Sequence, residues 1–156
     1  MTDKFKILGK FIKDMSSETK DAETYIYVRD NILKYQLNID IKSKPLKNKM
    51  VEVNTILKFE DKNETKHKSH FEMNYATILK IDDTVSEKKE LEKIILCDAQ
   101  IKIYPELEKS FLNMLHNSGY PNIKFEKKIN FENLYMQRFF KFRVYFYLCV
   151  TQNYFL

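Results

Sequence analysis

Glycine is almost absent: Gly9 and Gly119 are the only two in 156 residues. Neither a phosphate-cradling loop nor a dinucleotide-binding fingerprint can be built, because both need several closely spaced glycines to let backbone approach phosphate. Cysteine is as sparse, and Cys97 and Cys149 lie far apart without paired spacing. That usage points to a reduced, cytosolic compartment rather than a disulfide framework. Of the three histidines, His67 and His70 sit three residues apart beside a strand, a spacing that sends side chains to opposite faces. With no cysteine beside them they read as a solvated loop end, not a metal site. The start, MTDKFKILGK, lacks the apolar core of a signal peptide, and no window is an uninterrupted apolar membrane span. No cofactor, metal or stable membrane insertion is therefore expected, and the chain reads as a binding protein rather than an enzyme.

Charge is plentiful but mixed. Through Arg138 there are 25 Lys/Arg against 22 Asp/Glu; the rest of the net +5 is Lys141 and Arg143, in a tail without any acid. Lysines elsewhere alternate with acids, as in DKNETKHK and SEKKELEK, the pattern of a solvated face rather than a phosphate-binding patch. The same interspersion leaves no isolated carboxylate pair for acid–base work. Cys97 falls in an apolar helical run and reads as a buried structural thiol.

Three segments alternate apolar and polar residues with the period of a half-covered strand: YQLNIDI (35–41), VEVNTILKF (51–59) and FEMNYATILKI (71–81). FKILGKFIKD (5–14) is a weaker strand in which Gly9 marks a bulge or bend. KSKPLKNK and EDKNETKHK are plausible hairpin connections. After Ile81 the period becomes helical. SEKKELEKIILCDAQIKI starts one helix; YPELEKSFLNMLHNSG predicts a second, with Pro105 in its first turn and Leu107, Phe111, Met114 and Leu115 on one stripe. Gly119 closes that helix and Pro121 prevents its continuation. INFENLYMQRF predicts a short last helix with Asn130 as cap and Phe131, Leu134 and Tyr135 on one side. Four strands followed by helices predict an α+β domain over residues 1–138, its C-terminal helices packed on one face of a four-stranded antiparallel sheet.

These motifs, in order, carry a resemblance. FIKDMSSE (11–18), FEMNYATILKI, IYPELEKSFLNMLHNSGYP and INFENLY resemble, at compatible spacing, the signature segments of SecB, the bacterial protein-export chaperone family, over about residues 5–138. The resemblance implies a cytoplasmic homotetramer, a dimer of dimers. It implies an ATP-independent holdase that keeps precursor proteins unfolded and passes them to the translocase motor SecA. By motif position it assigns a SecA-docking acidic patch to Asp14, Glu18 and Glu72. It assigns client-binding grooves to Tyr35, Leu37 and Ile39 on a strand and to Ile101, Ile103 and Tyr104 beside the helices. Read as residues alone, the apolar six are core or subunit interface and the three acids a solvated strand face.

The chain departs from the family at several points. Ala99-Gln100 replaces a Cys-Pro, Ser118-Gly119 replaces a Gly-Gly pair, the segment before INFENLY is one residue longer, and the chain is basic where the family is acidic. Residues 139–156 hold eight Phe or Tyr and no acid. That tail reads as an added strand or helix covering an edge, an interfacial anchor, or a sequence apart from the chaperone machinery. In the last reading, its deletion leaves assembly and client binding intact. Two further functions stay open: a SecB-like chaperone dedicated to a toxin–antitoxin partner, and a basic nucleic-acid-binding protein, which would bind with a steep salt dependence.

Overall fold

The computed structural model describes residues 3–63, 65–137 and 148–149. Alternation becomes sheet where expected: β1 (Phe5–Glu18), β2 (Tyr35–Pro45), β3 (Met50–Asp61) and β4 (His70–Ile81) are all antiparallel neighbours, in the order β1-β4-β3-β2. A two-residue strand, β5 (Leu148–Cys149), adds to the outer edge of β2. The β2–β3 hairpin turns at Asn48 and Lys49, both left-handed at φ 61° and 57°, the geometry that matches the twist of the flanking strands. It closes with the Met50 N–H donating to Lys47 O at 3.3 Å.

The expected order of strands and then helices is corrected at one point. Helix α1 (Ala22–Asp30) and a short 3-10 turn (Ile32–Lys34) separate β1 from β2. Asp21 caps α1, its carboxylate accepting from Thr24 N–H at 2.8 Å. Only Thr24 and Val28 are buried on it, so there is no apolar stripe for periodicity to reveal. The helix lies in the connection that carries the chain from β1, at one edge of the sheet, to β2 across the other strands.

The helices after Ile81 are also fewer and longer than the sequence predicts. α2 (Lys88–Lys93), a π-helical turn (Ile94–Asp98) and α3 (Ala99–Asn117) follow one another without a break. Pro105 therefore lies inside a helix, not in a first turn. Its missing N–H forfeits one helical bond, tolerated because its neighbours Ile103, Tyr104 and Leu107 are anchored in the core. The π turn rotates the buried side, and Gln100 secures it from within: its amide donates to Ile95 O at 3.1 Å and accepts from Thr55 Oγ1 of β3 at 2.9 Å.

Gly119 (φ 106°) ends α3, and a β-carbon there would stand 2.7 Å from the Tyr25 ring, whose hydroxyl donates to Gly119 O. The rare glycine thus serves both the left-handed backbone and a close helix–helix approach. Tyr120 and Ile123, just beyond, are buried, and α4 (Phe131–Gln137) packs Phe131 against Tyr104 with ring centres 5.3 Å apart. Asn130 caps α4 through Asn133 N–H, as predicted. The core lies between one face of the sheet and the α2–α3 rod, centred on Leu37, Leu57, Phe59, Phe71, Leu79, Ile103 and Phe111.

Candidate functional site

Two irregularities in β1 decide what the sheet's open face presents. Register shifts fall between Ile7 and Gly9 and between Ile12 and Asp14, so Leu8 and Lys13 are extra residues against β4. Each bulge reverses the alternation that follows. Ile12 stands opposite Tyr75 on the helix side, yet Asp14 stands opposite Asn74 on the other face. The second bulge thereby brings Asp14, Ser16 and Glu18 onto the face that carries Asn74, Glu72 and His70. Ser16 pairs directly with Glu72, so Asp14 and Glu18 are the diagonal neighbours of Glu72, about 7–8 Å away in such ladders. The three acids assigned by resemblance are one cluster. Asp14 and Glu18 are exposed, while Glu72 is half-buried beside His70 (3.3 Å) and Lys58 (4.0 Å). The neighbouring surface is mixed, since Lys13 pairs with Glu52, whose carboxyl it holds below the usual range.

The six apolar candidates divide differently. Tyr35, Leu37 and Ile39 point into the core, and Leu37 is fully buried. Tyr35 packs its ring at a tilt against Phe59 (centres 5.2 Å apart) and its hydroxyl accepts from Ser69 N–H. Burial pushes that hydroxyl upward. Ile103 and Tyr104 are buried as well, and burial drives the Tyr104 hydroxyl far above the phenol range. Only Ile101 is open, 49% exposed on α3. Along β2, then, what reaches the surface is the backbone edge and the polar side chains between the buried ones.

One surface lies outside the sequence reading. Leu8, Phe11, Ile12 and Met15 are 44–55% exposed on β1, whose outer edge has no partner strand among the described residues. A simple alternation hides them, because the two bulges spread them over both faces. The signal available was the density of large apolar residues in FKILGKFIKDM itself. Lys10–Glu106 (2.6 Å) links this strand to α3, and Ser17–Ser118 (2.6 Å) links it to the residue that follows α3.

Among the described residues, no group of His, Cys, Asp or Glu is arranged to hold a metal ion. His67 instead meets Thr24 at 3.4 Å and packs its ring at a tilt against Tyr27. Cys97 is buried, and that burial raises its thiol pKa, as for an inert structural cysteine. No helix among the described residues is long and apolar enough to cross a membrane.

Comparison with known proteins bears on the family and the fold. A family model described as preprotein translocase subunit SecB matches residues 1–141. A protein of Pelagibacter ubique (strain HTCC1062) carrying the name protein-export protein SecB is 64% identical over 138 residues, 88% of this chain and 99% of that one. Among solved structures, a Mycobacterium tuberculosis SecB-like chaperone, solved with a ChAD peptide from the HigA1 antitoxin, superposes with a TM-score of 0.55 at 11% identity. The match covers 73% of this chain and 80% of that one, and it shows a shared fold.

Proposed function

The chain belongs to the SecB family of protein-export chaperones, and on that premise we propose that it is an ATP-independent holdase that binds unfolded precursors in the cytoplasm and delivers them to SecA. The observation that carries the reading is the 64% identity to an export protein along nearly that protein's whole length. A holdase needs apolar surface and adaptable backbone contacts for many unrelated segments. Each client side chain buried contributes roughly 1.5–3 kcal/mol before ordering costs, so several must be held at once. A homotetramer, a dimer of dimers, meets that need by repeating the binding surface.

Assembly is supported by β1. A 14-residue strand whose outer edge has no partner strand among the described residues, with four exposed large apolar side chains, is an aggregation hazard unless covered. A second copy pairing along that edge would complete both ladders and bury Leu8, Phe11, Ile12 and Met15. In this account Asp14, Glu18 and Glu72 form the SecA-docking cluster. Tyr35, Leu37 and Ile39 hold the strand whose backbone receives the client, and Ile101, with Ile103 and Tyr104 beneath it, lines the helix side. Charge-reversing Glu72→Lys should weaken SecA binding and spare client binding; an unchanged SecA affinity rejects the docking assignment.

A second reading, a chaperone dedicated to one antitoxin, rests on the peptide held by the M. tuberculosis protein. The neighbouring genes separate the two, because a dedicated chaperone sits beside its toxin–antitoxin pair.

A further inference from the structure

Lysines and acids alternate along the chain, but the sheet sorts them. Directly opposed residues share a face, so the strand register assigns the open face, turned away from the core, row by row. Toward the β2–β3 hairpin its rows carry Lys6, Lys42, Lys44 and Lys80, with Glu52 their one acid. Toward the other end they carry Asp14, Glu18, Asp40, Glu60 and Glu72, with Lys58 their one lysine. Lys80 and Glu72 are about 27 Å apart along β4, well beyond the screening length of about 8 Å at physiological salt. The two ends therefore do not cancel each other. We propose that this face is a self-association surface, on which a second copy of the chain packs its own open face about a two-fold axis running across the strands.

Charge selects that axis. It reverses strand direction and lays each strand on its own counterpart, so the acidic end of one copy meets the lysine end of the other. With the midpoint between the rows of Asn54 and Ile56, Lys6 falls over Glu18 of the second copy, Lys42 over Asp40 and Glu52 over Lys58. An axis along the strands would instead set acid on acid. Sheets packed face to face keep their strand directions within about 30°, an offset that flexible lysine stems span. A lone chain is left with the cost of the segregation: Lys6 stands directly opposite Lys80, a destabilising pair. Lys6, Lys44, Asp14, Glu18 and Glu60 make no ion pair with any described residue. The centre of the face is unfinished too. Asn38, Asn54 and Asn74 each hold a carbonyl oxygen shielded from water with no donor among the described residues. An asparagine amide offers donor and acceptor alike, so the same residues on a second copy complement them. Exposed ion pairs are individually weak, which makes the association reversible and sensitive to salt. This contact is additional to the β1 edge and does not depend on the chaperone reading. It covers Asp14, Glu18 and Glu72, and so withholds the proposed docking cluster while the faces are together. None of it calls on residues 139–156, which apart from Leu148 and Cys149 lie outside the described residues.

The test measures the mass of the full chain by sedimentation at high protein concentration, against its mass in about 0.5 M salt, where screening is strong. Wild type should double in mass as salt falls to about 0.05 M, its association constant rising at least about tenfold. Lys6→Glu with Lys42→Glu makes the face acidic throughout, and Glu18→Lys with Asp40→Lys makes it basic throughout. All four positions are exposed, and circular dichroism checks the fold. Each reversed-face variant alone should keep its high-salt mass, because like charges then face one another. Mixed in equal amounts, the two should regain the doubled mass, since every altered charge meets its opposite. Two control variants carry the same net charge changes at exposed positions away from the sheet: Lys109→Glu with Lys124→Glu, and Glu23→Lys with Glu87→Lys. Each control alone should still double, and mixing them should add nothing. A wild-type mass independent of salt overturns the proposal, whatever the variants do, and leaves the segregated charge to a partner of another kind. So does a reversed-face variant that doubles alone, or a mixture of the two that stays at the high-salt mass.

Discussion

Single side chains set this fold where backbone regularity fails. Gln100 is the clearest case, since it serves a π-turn carbonyl and a buried β3 threonine together. Gln100→Leu should cost about 1–3 kcal/mol in urea unfolding by leaving both partners unpaired. Adding Thr55→Val should restore part of that loss, and strict additivity would show that the two do not act as a pair. Glu106 makes the acid limb legible. Lys10 holds its carboxyl below the usual range, so its contribution is complete above the unfolded carboxylate pKa and is lost as pH falls through the lower folded value. Glu108, two residues on, is shifted the other way by burial, so its ionisation opposes folding and acid relieves it. Glu106→Gln should therefore flatten the fall in stability below pH 4–5, and Glu108→Gln should instead raise stability at neutral pH; urea midpoints against pH distinguish them. Gly119→Ala should be destabilising on two counts, and Tyr25→Ala should relieve only the contact, leaving the strain of φ 106°.

At the scale of elements, periodicity told the truth wherever one face of a strand is buried along its length. The expected strands at 35–41, 51–59 and 71–81 lie within β2, β3 and β4, and Gly9 does adjoin a bulge. It failed where another constraint won. α1 has too small a buried face to register, and it lies in the connection that crosses the sheet. Pro105 reads locally as a helix start, but long-range packing of the α2–α3 rod carries it inside. The exposed residues of β1 were invisible because an alternation broken twice has no single face. That strand makes an element-level prediction: Ile12→Lys with Met15→Lys should shift the protein to smaller species in light scattering coupled to size exclusion, with the monomer still folded by circular dichroism. A tetramer unchanged by both lysines would remove β1 from the interface.

For the whole molecule, composition excluded more than it identified. Two glycines and two cysteines ruled out nucleotide-cradling loops and a disulfide scaffold, but the proposed holdase activity needs no catalytic constellation for sequence to display. The ordered motifs supplied the family, and the acid cluster became visible as a cluster only once the bulge after Ile12 had put Asp14 beside Glu72. The apolar candidates could not be divided into core and surface from their spacing, because alternation marks the buried face without saying what buries it. The most direct test of the account is aggregation of a chemically denatured secretory precursor, diluted from denaturant and followed by light scattering with and without this protein. Suppression that reaches completion near one tetramer per precursor, without ATP, is the predicted result. Undiminished scattering at that stoichiometry would contradict it.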